Sequence, residues 1–165
     1  METTGKLRNM TAIYLLYNGK ILLLYRQGSK VADELWVGAA GGHFEECELN
    51  DAKACVLREL EEELSVTEDM LCNLKLRYIT LRRTKGEIRQ NYYFFADLKS
   101  DVQMEFVSNE GELKWFEFHE LTELKMPFSA KYMMEHYLSV GMHDDKVYGG
   151  VADGTGVVFT ELVEF

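Results

Sequence analysis

Residues 58–64 read Arg58-Glu59-Leu60-Glu61-Glu62-Glu63-Leu64. On a helix, Glu62 lies about −60° and Glu63 about +40° around the axis from Glu59. The three carboxylates therefore share one face, while Glu61 falls on the far side. Leu57, Leu60 and Leu64 form a stripe next to that face. The acids thus sit at the edge of a buried region. Three carboxylates within one turn repel one another. A hard divalent cation relieves that repulsion, and Mg2+ takes oxygen ligands. Arg58, four residues before Glu62, is placed to brace the cluster. By themselves these residues also allow an ordinary acidic face turned to solvent.

Upstream stands Gly41-Gly42-His43-Phe44-Glu45-Glu46-Cys47-Glu48, and downstream Ser65-Val66. With these flanks the segment resembles the Nudix box. In that pattern a Gly and a Glu are separated by five residues, and seven more lead to Arg-Glu-apolar-any-Glu-Glu-any-Gly-apolar. Gly42 and Glu48 fit the first spacing; Arg58, Glu59, Leu60, Glu62, Glu63 and Val66 fit the second half. Two positions depart from the pattern. Nine residues separate Glu48 from Arg58, and Ser65 replaces the final Gly. The longer spacing fits a loop extension that leaves the helix intact. Ser65 implies a helix end different from a left-handed Gly.

The resemblance covers about residues 10–140 and implies a hydrolase of nucleoside diphosphates linked to another moiety. It implies Glu59, Glu62 and Glu63 as ligands of Mg2+ (Mn2+ being the alternative), the Gly41 carbonyl as a further ligand, and Arg58 as orienting the carboxylates. Glu110, five residues before Trp115, is the candidate for an extra ligand or base; a solvated loop acid is the competing reading. Gly42 and Phe128 are candidates for substrate contact, Phe128 by stacking on a base, although an aromatic at a helix start also serves as core. The tail and Trp115-Phe116 are similar to enzymes that clear oxidised purine nucleoside triphosphates such as 8-oxo-dGTP. That branch has Trp-Asn-Gly-Phe-Gly-Gly before the box helix. Here the run is Trp36-Val37-Gly38-Ala39-Ala40-Gly41-Gly42, without the Asn that contacts the base.

Several elements must position these residues. Apolar runs on either side of Asn18-Gly19 predict a type I′ hairpin over 10–27. Leu35–Val37 is a short strand candidate, followed by a small-residue loop over 38–42. A helix is expected over 50–64, capped by Asn50. Strands are expected over 74–84 and 87–98, the second with Tyr92 to Phe95 alternating between both sheet faces, and over 112–118. A second helix, 129–140, follows Pro127, with Tyr132, Met133, Tyr137 and Val140 facing inward; a tail hairpin turns at Asp153-Gly154. The pattern predicts one α/β domain over 1–165. Its mixed sheet lies between helices (α/β/α), in keeping with the Nudix fold.

Composition narrows the function classes. The chain has 165 residues and a net charge of −10, which argues against general nucleic-acid binding by a basic surface. Eight acids against two bases in residues 45–63 carry −6 of that total, so the acidity is largely local. Three cysteines (Cys47, Cys55, Cys72) show neither disulfide nor metal spacing and fit a reducing, cytoplasmic setting. No apolar run is long enough to span a membrane. Arg82, Arg83, Lys85 and Arg89 form the one basic cluster, either a phosphate contact or a solvated hairpin tip; His43 is open in the same way. The expected partner is a small-molecule nucleotide, bound by a monomer or homodimer. The leading expectation is a Mg2+-dependent nucleoside triphosphate hydrolase releasing a monophosphate and pyrophosphate. Alternatives are a hydrolase of ADP-ribose, dinucleoside polyphosphates or capped RNA ends, a non-catalytic nucleotide-binding module, and a structural protein with an acidic helix.

Overall fold

A computed structural model describes residues 5–27, 34–103 and 105–165. The first four residues lie outside it. The strands are β1 (Lys6–Tyr17), β2 (Lys20–Arg26), β3 (Leu35–Gly38), β4 (Ala40–His43), β5 (Leu71–Thr84), β6 (Glu87–Leu98), β7 (Gly111–Glu117), β8 (Tyr148–Ala152) and β9 (Val157–Glu161). Two α-helices, α1 (Ala52–Leu64) and α2 (Phe128–Ser139), accompany them. The sheet order is β3-β2-β1-β6-β5-β8-β9, with β4 also paired to β1 and β7 to β2. β1 with β6 and β5 with β8 are parallel; the other pairs are antiparallel. This is the expected mixed α/β architecture.

Period-two alternation divides the core between the two faces. Ile13, Leu15, Leu22, Phe94 and Ala96 pack with Val56, Leu60 and Leu64 of α1. Tyr14, Ile21, Leu23, Tyr93 and Phe95 pack with Met133, Met134 and Tyr137 of α2. The aromatic run of β6 thus fills both faces, as its alternation predicts. Burying a side chain such as Leu60, fully inaccessible here, contributes about 2 kcal/mol. Asn18 and Gly19 have φ of 50° and 73°, as a type I′ turn requires.

Five expectations are corrected. The cap of α1 is Asp51, not Asn50: its carboxylate accepts from Ala54 N at 3.0 Å. Residues 40–43 are not loop but strand, because β1 offers a free edge that Ala40–His43 completes. Ser65 adopts the left-handed conformation (φ 56°) and its N–H donates to Glu61 O at 2.9 Å. The helix therefore ends as it would with Gly. Val140 lies beyond α2 and is 41% exposed. Tyr132 is only half-buried, its hydroxyl reaching Thr155 O. Residues 49–51 link a short 3-10 turn, Glu46–Glu48, to α1, which runs undisturbed from Ala52.

Candidate active site

Arg58 organises the acidic helix. Its Nε donates to Glu48 Oε2 at 2.8 Å and its Nη2 to Glu48 Oε1 at 2.9 Å. Its Nη1 donates to Glu59 Oε1 at 2.9 Å and Glu62 Oε2 at 3.1 Å, and Nη2 also reaches His43 O at 3.2 Å. The brace to Glu62 was predicted; the stronger two-bond grip on Glu48 was not. Glu48 is only 5% exposed. The Arg58 guanidinium holds its carboxyl down at about 2, against the opposing effect of burial.

The three acids of the helix face differ in their surroundings. Glu59 lies against Gly42 so closely that a Cβ there would stand 2.5 Å from Oε1. Glu62 is mostly exposed, at 58%. Glu63 turns to β4, where Oε2 accepts from Gly41 N at 3.3 Å. Burial pushes the Glu63 carboxyl up to about 7, with Glu59 and Glu110 adding in the same direction and the Gly41 bond opposing. Gly41 has no room for a side chain, since a Cβ would meet Thr11 O at 2.1 Å. Among the described residues no three acidic, histidine or cysteine side chains stand together as a ready metal cage. Arg58 takes up Glu59 and Glu62, while Glu63 accepts from Gly41 N instead.

Glu63 opens onto a cavity of about 270 Å3 on the α2 side of the sheet. Gly41, Gly42, Glu110 and Phe128 line the same cavity, so the structure brings those candidates together. Glu110 stands apart from the Arg58 network and pairs with Arg26 at 3.2 Å. Phe128 belongs to the cavity wall rather than the core, with the Arg82 guanidinium 4.2 Å above its ring. Arg8, Arg26, Arg82 and Arg89 all reach the cavity. Within the basic cluster, Arg82 and Arg89 thus face the site, whereas Arg83 and Lys85 are exposed. His43 also lines the cavity, 2.9 Å from Arg8; burial, then Arg8, lowers its pKa. Trp36 lies outside the cavity lining, packing edge-on against Phe116 at 4.7 Å. Cys55 is a buried thiol near Thr11 Oγ1 at 3.4 Å, and burial raises its pKa to about 11. Arg8, Arg26 and Asn91 carried no sequence signal, because they are brought to the site only through long-range strand pairing. Glu48 did carry one, as the box glutamate.

No described helix is long and apolar enough to cross a membrane. A comparison with curated proteins gives no match. Among solved structures, the chain is similar to the mutator MutT protein of Bacillus halodurans (23% identity, 93% of this chain and 97% of that one, TM-score 0.63). It is also similar to the ORF135 protein of E. coli (20% identity, 86% and 95%, TM-score 0.65). A third is the Ap4A hydrolase of C. elegans (18% identity, 84% and 99%, TM-score 0.60). At these identities the likeness is one of fold. The family model described as the NUDIX domain matches residues 6–137, most of the sequence and the whole of the site, and the chain belongs to the Nudix family.

Proposed function

We propose that this protein is a Mg2+-dependent hydrolase that cleaves a nucleoside triphosphate, of the 8-oxo-dGTP kind, to a monophosphate and pyrophosphate. Its family supports the coarser statement, a hydrolase acting on pyrophosphate bonds of small nucleotides. One observation carries the finer reading. The carboxylates of Glu63 and Glu110 share a cavity with four arginines, beside the glycine pair that receives α1.

The donor set fits a hard divalent cation. Its side-chain donors are all oxygens, and the raised carboxyl of Glu63 is one that a nearby cation would ionise. Glu59, Glu62, Glu63 and the Gly41 carbonyl would hold Mg2+, with Mn2+ as a substitute. When bound, the ion supplies polarisation of phosphate oxygens and a lowered pKa for the attacking water. Arg58, fixed by Glu48, holds Glu59 and Glu62 in one orientation. Gly42 leaves Glu59 space to approach the backbone. Glu110, exposed enough to exchange protons with solvent, receives the proton of the attacking water. Phe128 offers a ring face to the base.

A second reading, a dinucleoside polyphosphate hydrolase, draws on the same arginines, which suit any run of consecutive phosphates. Product analysis over a nucleotide panel with Mg2+ separates the two, because a nucleoside triphosphate yields a monophosphate and pyrophosphate whereas a dinucleoside polyphosphate yields two nucleotides. Pyrophosphate release from 8-oxo-dGTP in preference to dGTP supports the first reading. Equal cleavage of both removes the preference for oxidised purine, and activity on dinucleoside polyphosphates alone selects the second reading.

A further inference from the structure

Strand register places three arginines side by side on the cavity floor. Arg8 on β1 is opposite Arg89 on β6, and Arg89 is opposite Arg82 on β5. The row crosses three adjacent strands, a span of about 10 Å, and all three side chains line the cavity. The next row along the strands is Met10, Asn91 and Thr80, and the one after it Ala12, Tyr93 and Tyr78. Of these, Met10, Asn91, Ala12 and Tyr93 line the cavity, so the cationic row gives way to neutral side chains.

Like charges in directly opposite positions repel. Only part of that repulsion is answered. Glu87 Oε2 lies 3.3 Å from both Arg8 Nη1 and Arg89 Nε. Arg82 has no acidic partner among the described residues; its guanidinium rests on Phe128. The side chains of Arg8 and Arg89 are 19% and 24% exposed, so solvent screens them incompletely. Three cations against one carboxylate, in a chain of net charge −10, leave a local excess of positive charge. The row also joins the proposed metal end of the site, since Arg8 contacts His43, the residue after Gly42.

We infer that the Arg8–Arg89–Arg82 row is an anion subsite for a phosphate beyond those engaged at the α1 carboxylates. The substrate is then a nucleotide with three or more consecutive phosphates, not a two-phosphate derivative whose second half is neutral. Guanidinium groups suit this ligand, because their forked donors match phosphate oxygens. The substrate class rests on the hydrolase reading above; the subsite itself does not.

Calorimetric titration of inorganic tripolyphosphate into the full chain, in EDTA and at low ionic strength, reads the subsite without turnover. Arg82→Gln should weaken binding about tenfold, and Arg82→Gln/Arg89→Gln further. Arg83→Gln, exposed and next in the chain, should leave it unchanged. Arg82→Gln breaks no ion pair, so it remains informative if the double variant fails to fold. In steady-state assays with Mg2+, Arg82→Gln should raise KM for a nucleoside triphosphate about tenfold, and the unmodified chain should turn over the triphosphate in preference to ADP-ribose. No tripolyphosphate binding by the unmodified chain, or equal binding by Arg82→Gln, overturns the subsite. An unmodified chain whose kcat/KM for ADP-ribose equals or exceeds that for the triphosphate overturns the substrate class. Absence of hydrolysis with the expected binding pattern sinks the hydrolase reading and upholds the subsite.

Discussion

Arg58 and Glu48 are joined by two parallel hydrogen bonds, 2.8 Å and 2.9 Å long, that close a fork from α1 onto the turn before it. The same guanidinium holds Glu59 and Glu62. Glu48 is therefore a positioning residue, acting on the carboxylates through Arg58.

Glu48→Gln should destabilise the protein by about 2 kcal/mol at pH 7, since it removes a charge-assisted fork. The folded-state carboxyl sits at about 2 against an ordinary 4.5. A depressed pKa means the stabilisation is complete above the unfolded value and is lost as pH falls toward the folded one. Urea midpoints of the unmodified chain and the variant should differ at pH 7 and draw together as pH falls from 4.5 toward 2. A difference that stays constant down to pH 2 contradicts this.

Ser65→Gly should stabilise the protein by about 1 kcal/mol. Ser65 holds a left-handed conformation that L-residues adopt at a cost and Gly adopts freely. Thermal denaturation checks it: Tm rises for Gly and falls for Val.

Gly41→Ala and Gly42→Ala should fail in different ways. At Gly41 the new Cβ meets backbone, Thr11 O at 2.1 Å, so β4 must leave β1 and stability falls. At Gly42 it meets the Glu59 carboxylate, which swings aside. Gly42→Ala should keep nearly its full Tm and lose activity about a hundredfold. Tm and kcat measured together separate the two.

Phe128→Ala should raise KM for nucleotides about tenfold with little change in kcat, since stacking acts on binding rather than on the bond broken. Phe128 is half-buried on the cavity wall, so its loss should move Tm little.

Local signals were legible in the sequence, and long-range ones were not. The bounds of β6, Glu87–Leu98, followed from its residues and the Lys85-Gly86 turn. The acidic face of α1 followed from helical spacing, because 3.6-residue periodicity is a local property. β4 was hidden, since a strand of small residues exists only because β1 supplies its partner. Of the arginine row, Arg82 and Arg89 were legible as one basic cluster, whereas Arg8 was hidden for the same reason as β4: it meets Arg89 through a parallel pairing that no turn announces. The left-handed Ser65 was misread because residue type sets a preference, while the helix end sets the conformation.

The central claim is that Glu59, Glu62 and Glu63 hold the divalent cation for hydrolysis of a nucleotide pyrophosphate bond. Nucleotide hydrolysis as a function of Mg2+ concentration, for the unmodified chain and Glu62→Gln, tests it most directly. Glu62 is exposed, so its loss leaves the fold intact. Mg2+-dependent turnover that falls about a hundredfold in Glu62→Gln is the predicted result. Full activity in Glu62→Gln, or no turnover of any nucleotide by the unmodified chain, contradicts the account.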